Sequence, residues 1–273
     1  MDSIRQAVNR ARSVDNTSAE QGPAPSISPK LPAGPAILDS QIRDLELNPA
    51  HLEANRIVAH ESAAAGGRYY DMLRTQVLQV MDKGGWQFLA VTSATAGCGK
   101  TVTACNLALS IARLTERSVL LVDLDMHKPK VAEYLGIGRK EGLLSVLDRR
   151  ASLSSRIVQA CIDKSKLLVL PGEACNSGSS EWMASQAMGT VLQAIKREFR
   201  SRIVIFDMPP MLLGDDVISV LPRMDAVLLV AGVGSTSVSD LKQCQKHLQE
   251  KPVARVVINK STERANGYYG YGY

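Results

Sequence analysis

From Trp86 to Asn259 the chain alternates between continuous apolar runs and amphipathic stretches. The runs Gln87–Thr92, Ser118–Asp123, Leu167–Leu170, Ile203–Asp207, Ala226–Ala231 and Arg255–Asn259 predict strands. Most are apolar at nearly every position, as SVLLVD and RIVIFD show. Such runs suit strands covered on both faces, as in a parallel sheet. Between them Lys100–Arg113, Met188–Phe199 and Val238–Gln249 carry helical spacing, with Leu107, Ile111 and Leu114 in step. A helical stretch is expected from near Asp39, strongest over Arg68–Met81, where Tyr70, Leu73, Val77 and Met81 share one face. Strand–helix repetition predicts an α/β fold, a doubly wound, mostly parallel sheet with helices on both faces. Ligands bind at the carboxyl ends of such strands.

The termini break this pattern. Residues 1–13 (MDSIRQAVNRARS) suit a short amphipathic helix with Ile4, Val8 and Ala11 on one side. The next stretch, 14–38, holds five of the twelve prolines among Ser, Ala and Gly, and reads as a disordered linker. A domain over 39–260 follows, with a helical lead-in over 39–84. Beyond it, 261–273 reads STERANGYYGYGY, a flexible tail holding four of the seven tyrosines in its last six residues.

Composition narrows the function classes. Net charge is +5 and aromatics are 4%, without the clustered Lys/Arg and stacking platforms of a nucleic-acid binder. The longest apolar run, Ala226 to Val233, is far short of the roughly 20 residues that span a bilayer. No secretory signal pattern stands at the N-terminus. The expectation is a cytoplasmic protein, recruited to the inner face of the membrane only through a partner. Five widely spaced cysteines, without C-x-x-C, argue against a disulfide framework or a zinc site.

The chemistry concentrates at strand ends. After Thr92 comes Ser93-Ala94-Thr95-Ala96-Gly97-Cys98-Gly99-Lys100-Thr101, then a helix running on from Val102. Strand, glycine-bearing turn and helix start are the context of a P-loop. Its amides form an anion nest, strengthened by the helix dipole. Lys100 reaches the β- and γ-phosphates and the Thr101 hydroxyl ligates Mg²⁺. Ala96, Gly97, Cys98, Gly99 and Val102 complete the loop. Ala94 replaces the first glycine of G-x-x-x-x-G-K-[ST].

Two further strands end in acid, at Asp123-Leu124-Asp125 and at Asp207-Met208-Pro209-Pro210. An unpaired buried carboxylate is costly, and a magnesium nucleotide supplies its partner. Asp207 is the Walker B residue. Asp123 offers a second metal ligand, and Asp123 or Asp125 a general base. Capping of the following turn is an open alternative for Asp125. Asn259, in Ile258-Asn259-Lys260-Ser261-Thr262, lacks the carboxylate of N-K-x-D, which favours ATP over GTP. It either contacts the base edge or serves as a strand-end turn residue. Cys98 is either a redox-sensitive thiol among loop dipoles or an innocent variable position.

P-loop, Asp-x-Asp and apolar-Asp-x-Pro-Pro in this order, with a terminal tyrosine cluster, resemble the bacterial tyrosine kinases of the CpsD/CapB kind. The resemblance covers about 40–273, and the soluble autokinases of exopolysaccharide and exosortase-linked gene clusters look nearest. It implies an ATP- and Mg²⁺-dependent protein-tyrosine kinase of exopolysaccharide or capsule biosynthesis, on a fold shared with the MinD/ParA ATPases. It implies Tyr268, Tyr269, Tyr271 and Tyr273 as acceptors, phosphorylated between subunits of a homo-oligomer. A separate membrane-bound co-polymerase or activator and a cognate phosphotyrosine phosphatase are the implied partners, with no nucleic acid.

Departures from the family pattern are local. His127 stands where D-x-D-x-R has its Arg, with Lys128 beside it as a partial substitute. Arg68–Arg74 corresponds to the family's E-x-x-R-x-x-R oligomerisation helix, with Arg for the outer Glu and Asp71 for the inner Arg. The alternative reading is a MinD/ParA-type ATPase switch without kinase activity. Its signature lysine, in K-G-G-x-G-K-T, is replaced here by Thr95.

Overall fold

The structure is a computed structural model that describes residues 42–61, 66–138, 141–200 and 202–262. The expected N-terminal helix, the Pro-rich linker and the tail tyrosines lie outside the described residues. In chain order the elements are β1 (Arg43–Glu46), α1 (Pro49–Ala54), α2 (Gly67–Gly84), β2 (Phe88–Ser93), α3 (Lys100–Ala112) and β3 (Ser118–Asp123). Short helices α4 (Val131–Leu135), α5 (Leu143–Leu147) and α6 (Leu153–Arg156) lead to β4 (Val158–Ile162) and β5 (Ser165–Leu170). Then come α7 (Ser179–Ala184), α8 (Gln186–Glu198), β6 (Arg202–Asp207), α9 (Asp216–Val220), β7 (Ala226–Gly232), α10 (Val238–His247) and β8 (Val253–Asn259).

The strands form one sheet in the order β1-β4-β5-β3-β6-β2-β7-β8. Every neighbouring pair is parallel except β4 and β5. Alternate side chains of each central strand enter opposite cores. Leu89, Val91, Leu121, Ile205 and Leu228 face one core, which Val77 and Met81 of α2 and Leu107 and Ile111 of α3 complete. Phe88, Ala90, Leu120, Phe206 and Leu229 face the other, closed by Met188, Leu192 and Ile195 of α8. Two-sided burial is why these strands read as unbroken apolar runs.

The lead-in differs from expectation. The helix foreseen from Asp39 is replaced by strand β1, which pairs with β4, Arg43 opposite Val158. Leu45 and, just past the strand's end, Leu47 both reach the first core, a period of two. Asn48 then caps α1, accepting from the Ala50 and His51 amides. Strand β4 was not anticipated either. It joins β5 through the two residues Asp163 and Lys164, with Asp163 at φ +50°.

Candidate functional site: a P-loop facing paired strand ends

The loop between β2 and α3 takes its shape from two glycines. Gly97 and Gly99 adopt φ of +76° and +89°, the left-handed region that side chains disfavour. A Cβ on Gly99 would also stand 2.2 Å from Asn259 Nδ2. Ala94 does not have positive φ and its methyl is buried in the second core. That position therefore does not require the missing glycine.

Lys100 leaves the loop toward the carboxylates. Its Nζ donates to Asp125 Oδ2 at 2.7 Å and to Thr101 Oγ1 at 3.3 Å, and lies 3.9 Å from Asp207 Oδ1. Burial opposes its charge, but Asp207 and Asp125 outweigh this and raise the ammonium pKa. Thr101 Oγ1 donates to Asp207 Oδ2 at 2.7 Å.

Asp123 and Asp207 are register partners on β3 and β6, so adjacent parallel strands deliver both acids at one level. Burial, and then Asp207, push the Asp123 carboxyl upward. Burial also raises Asp207, against the opposing pull of Lys100 and Thr101. Asp123 is bound by backbone, Oδ1 to the Asp125 amide at 3.0 Å and Oδ2 to the Val131 amide at 3.1 Å. Asp125 does two things at once: Oδ1 caps the turn by accepting from the Lys128 amide at 2.9 Å, and Oδ2 holds Lys100.

The structure thus brings Lys100, Thr101, Asp125 and Asp207 into direct contact. Lys100, Thr101 and Asp125 border a cavity of about 580 Å³, also lined by Ala96, Gly97, Gly99 and Val102. Asn259 stands behind the loop: its Nδ2 donates to Cys98 O at 2.9 Å, and its Oδ1 accepts from the Lys260 amide at 2.8 Å. Cys98 is buried among Thr95, Ser235 and Thr236, with its Sγ 3.2 Å from Thr236 Oγ1. Thr95 donates to Ser235 O at 3.0 Å.

Three site residues escaped the sequence reading. Asp216 is buried and lines the cavity, Ser179 of α7 lies 2.9 Å from His127 Nε2, and Thr236 backs the loop cysteine. Asp216 lies nine residues after Asp207, and no spacing rule singles it out.

The Arg68–Arg74 stretch turns inward. Asp71 Oδ1 accepts from Arg74 Nη1 at 3.1 Å, from Arg113 Nη1 at 2.9 Å and from Ser110 Oγ at 2.6 Å. These contacts fasten α2 to α3. Tyr69 and Met72 are exposed on the other side.

A parallel sheet whose strand ends meet a glycine loop, a lysine and two acids defines a P-loop nucleotide-binding domain. The chain belongs to the CobQ/CobB/MinD/ParA nucleotide binding domain family, whose model matches residues 89–269. It is 27% identical over 203 residues to tyrosine-protein kinase wzc of Salmonella typhi, covering 74% of this chain and 28% of that one. It is 27% identical over 226 residues to tyrosine-protein kinase YwqD of Bacillus subtilis, covering 81% and 93%. The kinase domain of Escherichia coli tyrosine kinase ETK superposes with a TM-score of 0.67 at 25% identity, over 80% of this chain and 84% of that one. The chain spans between 26% and 28% of the length of the first curated relatives it matches. Among the described residues no helix is long and apolar enough to cross a membrane.

Proposed function

We propose that this chain is an ATP-dependent protein-tyrosine kinase acting in exopolysaccharide or capsule biosynthesis. The observation that carries the reading is the contact chain Lys100–Asp125 and Thr101–Asp207 at the head of the 580 Å³ cavity. Phosphoryl transfer is mostly positioning and charge neutralisation. Loop amides from Ala96 to Val102 cradle the phosphates, Lys100 neutralises the transferring group, and Asp125 aims its ammonium. Asn259 braces the loop from behind rather than being free to reach outward.

Mg²⁺ fits the residues present. Among the described residues Asp207 Oδ1 is buried without a hydrogen-bond partner, a costly state that a divalent cation relieves. Thr101 and Asp207 offer hard oxygen ligands of the kind Mg²⁺ takes, with Asp123 behind them. When bound, the ion supplies charge stabilisation to the phosphate oxygens.

The acceptors are Tyr268, Tyr269, Tyr271 and Tyr273. A 13-residue tail beyond Lys260 extends to about 45 Å, enough to reach the site of a neighbouring subunit. Phosphorylation in trans within a homo-oligomer is the arrangement this supports. A separate membrane-bound activator at the inner face of the membrane and a phosphotyrosine phosphatase complete the cycle.

The test is purified full-length chain with Mg-ATP, read by anti-phosphotyrosine blotting and mass spectrometry beside Lys100→Met and a chain ending at 262. Phosphotyrosine on the tail, absent from both variants, is expected. ATP hydrolysis without phosphotyrosine replaces the kinase by an ATPase switch of MinD/ParA type, without kinase activity, on the same loop.

A further inference from the structure

The two edges of the sheet are built differently. β1 is four residues long and exposes Arg43, Asp44 and Glu46, charges that discourage another strand from pairing there. β8 is seven residues long, VARVVIN, and among the described residues it pairs with β7 alone. Its one charged side chain, Arg255, is turned aside to Gln76 of α2, donating to Oε1 at 3.1 Å. Val257 packs against the first core, so its neighbours Val256 and Ile258 point to the opposite face. There they stand 52% and 71% exposed. A long apolar edge with open N–H and C=O groups is one that proteins ordinarily cover.

The sequence beyond β8 carries a matching strand. β8 ends at Asn259, and Lys260 takes φ +62°, the left-handed conformation that reversals between antiparallel strands use. Asn259 Oδ1 accepts from the Lys260 amide at 2.8 Å and fixes that bend. The stretch 260–267, KSTERANG, is polar and closes on Asn266-Gly267, a composition suited to a loop. Then comes 268–273, YYGYGY, in which Tyr269, Tyr271 and Tyr273 alternate with Gly270 and Gly272. That period of two sets three rings on one face of a strand. Six residues extend about 20 Å as a strand, against about 23 Å for the seven of β8. Tyrosine favours strands, and aromatic rings pair well with β-branched side chains such as Val256 and Ile258.

We propose that the open edge of β8 is a docking site for the chain's own segment 268–273, which adds as an antiparallel ninth strand. Tyr269 lies opposite Ile258 and Tyr271 opposite Val256, with 260–267 as the connecting loop. The mode is strand addition, in which backbone hydrogen bonds supply attachment and alternate side chains supply choice. The covalent link through an eight-residue loop gives the segment a high effective concentration at this edge. Resting on the kinase reading, the docked strand withholds its tyrosines. A tail folded back on its own sheet cannot extend to the site of a neighbouring subunit, so release of the strand precedes phosphorylation.

The test compares the full chain with a chain ending at 262 and with the double variant Val256→Lys/Ile258→Lys, both at exposed positions. Amide exchange over 253–259 is followed by NMR at several protein concentrations. In the full chain the outward amides of β8 are expected to exchange about tenfold more slowly than in the chain ending at 262, and equally so at every concentration. The double variant exchanges like the shortened chain. Equal exchange in the full and shortened chains overturns the proposal. So does protection that grows with concentration together with the mass by light scattering, which assigns the edge to a second copy. The second readout is the initial rate of tail phosphorylation with Mg-ATP. It is expected to rise about tenfold in the double variant, the combined effect of two lost strand pairs, while nucleotide-induced thermal stabilisation stays as in wild type. A rate that does not rise overturns the withholding of the acceptors. Slow exchange in a full chain that forms no phosphotyrosine overturns the kinase reading and leaves the docked strand standing.

Discussion

Thr101 donates a 2.7 Å hydrogen bond to Asp207, latching the first turn of α3 to the end of β6. The other oxygen of Asp207 is buried and, among the described residues, without a hydrogen-bond partner. Thr101→Ala therefore strips the last hydrogen-bond donor from a buried carboxylate. We expect a loss of about 1–3 kcal/mol in the nucleotide-free protein, measured by urea unfolding. Thr101→Ser restores the donor and the stability. The same alanine variant weakens stabilisation by Mg-ATP, each tenfold loss of affinity removing about 1.4 kcal/mol at saturating ligand.

Gly99 and Asn259 are coupled through space. Gly99→Ala places a side chain at φ +89° and drives its Cβ into Asn259 Nδ2. A left-handed alanine costs about 1–2 kcal/mol, and the clash adds to it. Asn259→Ala loses the bond to Cys98 O, a contribution of about 1 kcal/mol. The double variant retains the φ strain and loses the clash. Its destabilisation is expected to fall short of the sum of the singles by more than 0.5 kcal/mol, roughly the threshold for coupled sites. Strict additivity would show that the two residues do not press on each other.

Arg74 bonds to Asp71, to Ser110 O and to Ser110 Oγ within the same chain. Arg74→Ala should lower stability by about 1–3 kcal/mol and leave the mass by light scattering unchanged. A fall in mass without a fall in stability would return this residue to a subunit interface.

Legibility in the sequence followed burial. The central strands β2, β3, β6 and β7 are covered on both sides, so their apolar runs stood out, as did the acids that end β3 and β6. β1 and β4 are short, and one pairs with the other 115 positions away, so local pattern carries little weight there. Still, Val158, Ala160 and Ile162 alternate with half-buried neighbours, a period of two that was present to be read. At the site, residues with motif spacing were found: Lys100, Thr101, Asp123, Asp125 and Asp207. Asp216 and Ser179 belong to no motif. Their place in the site arises only because α7 and α9 bring them to His127, a tertiary fact without a sequence period.

Cys98 carries the pH prediction. Burial alone raises its pKa, but hydrogen bonding with Thr236, Thr95, Ser235 and the Gly232 backbone outweighs this and brings it down to about 7, from a model-compound value of 9.0. Between those values the unfolded chain holds the proton that the folded chain has released. Stability therefore rises with pH across that window, and is lost as pH falls through about 7. Each unit of difference corresponds to about 1.4 kcal/mol. Cys98→Ala lacks this linkage. Unfolding by urea at pH 6.5 and at pH 9, without nucleotide, should show the wild type gaining about 1–3 kcal/mol on the variant. Equal differences at the two pH values would mean that the loop hydroxyls do not hold a thiolate.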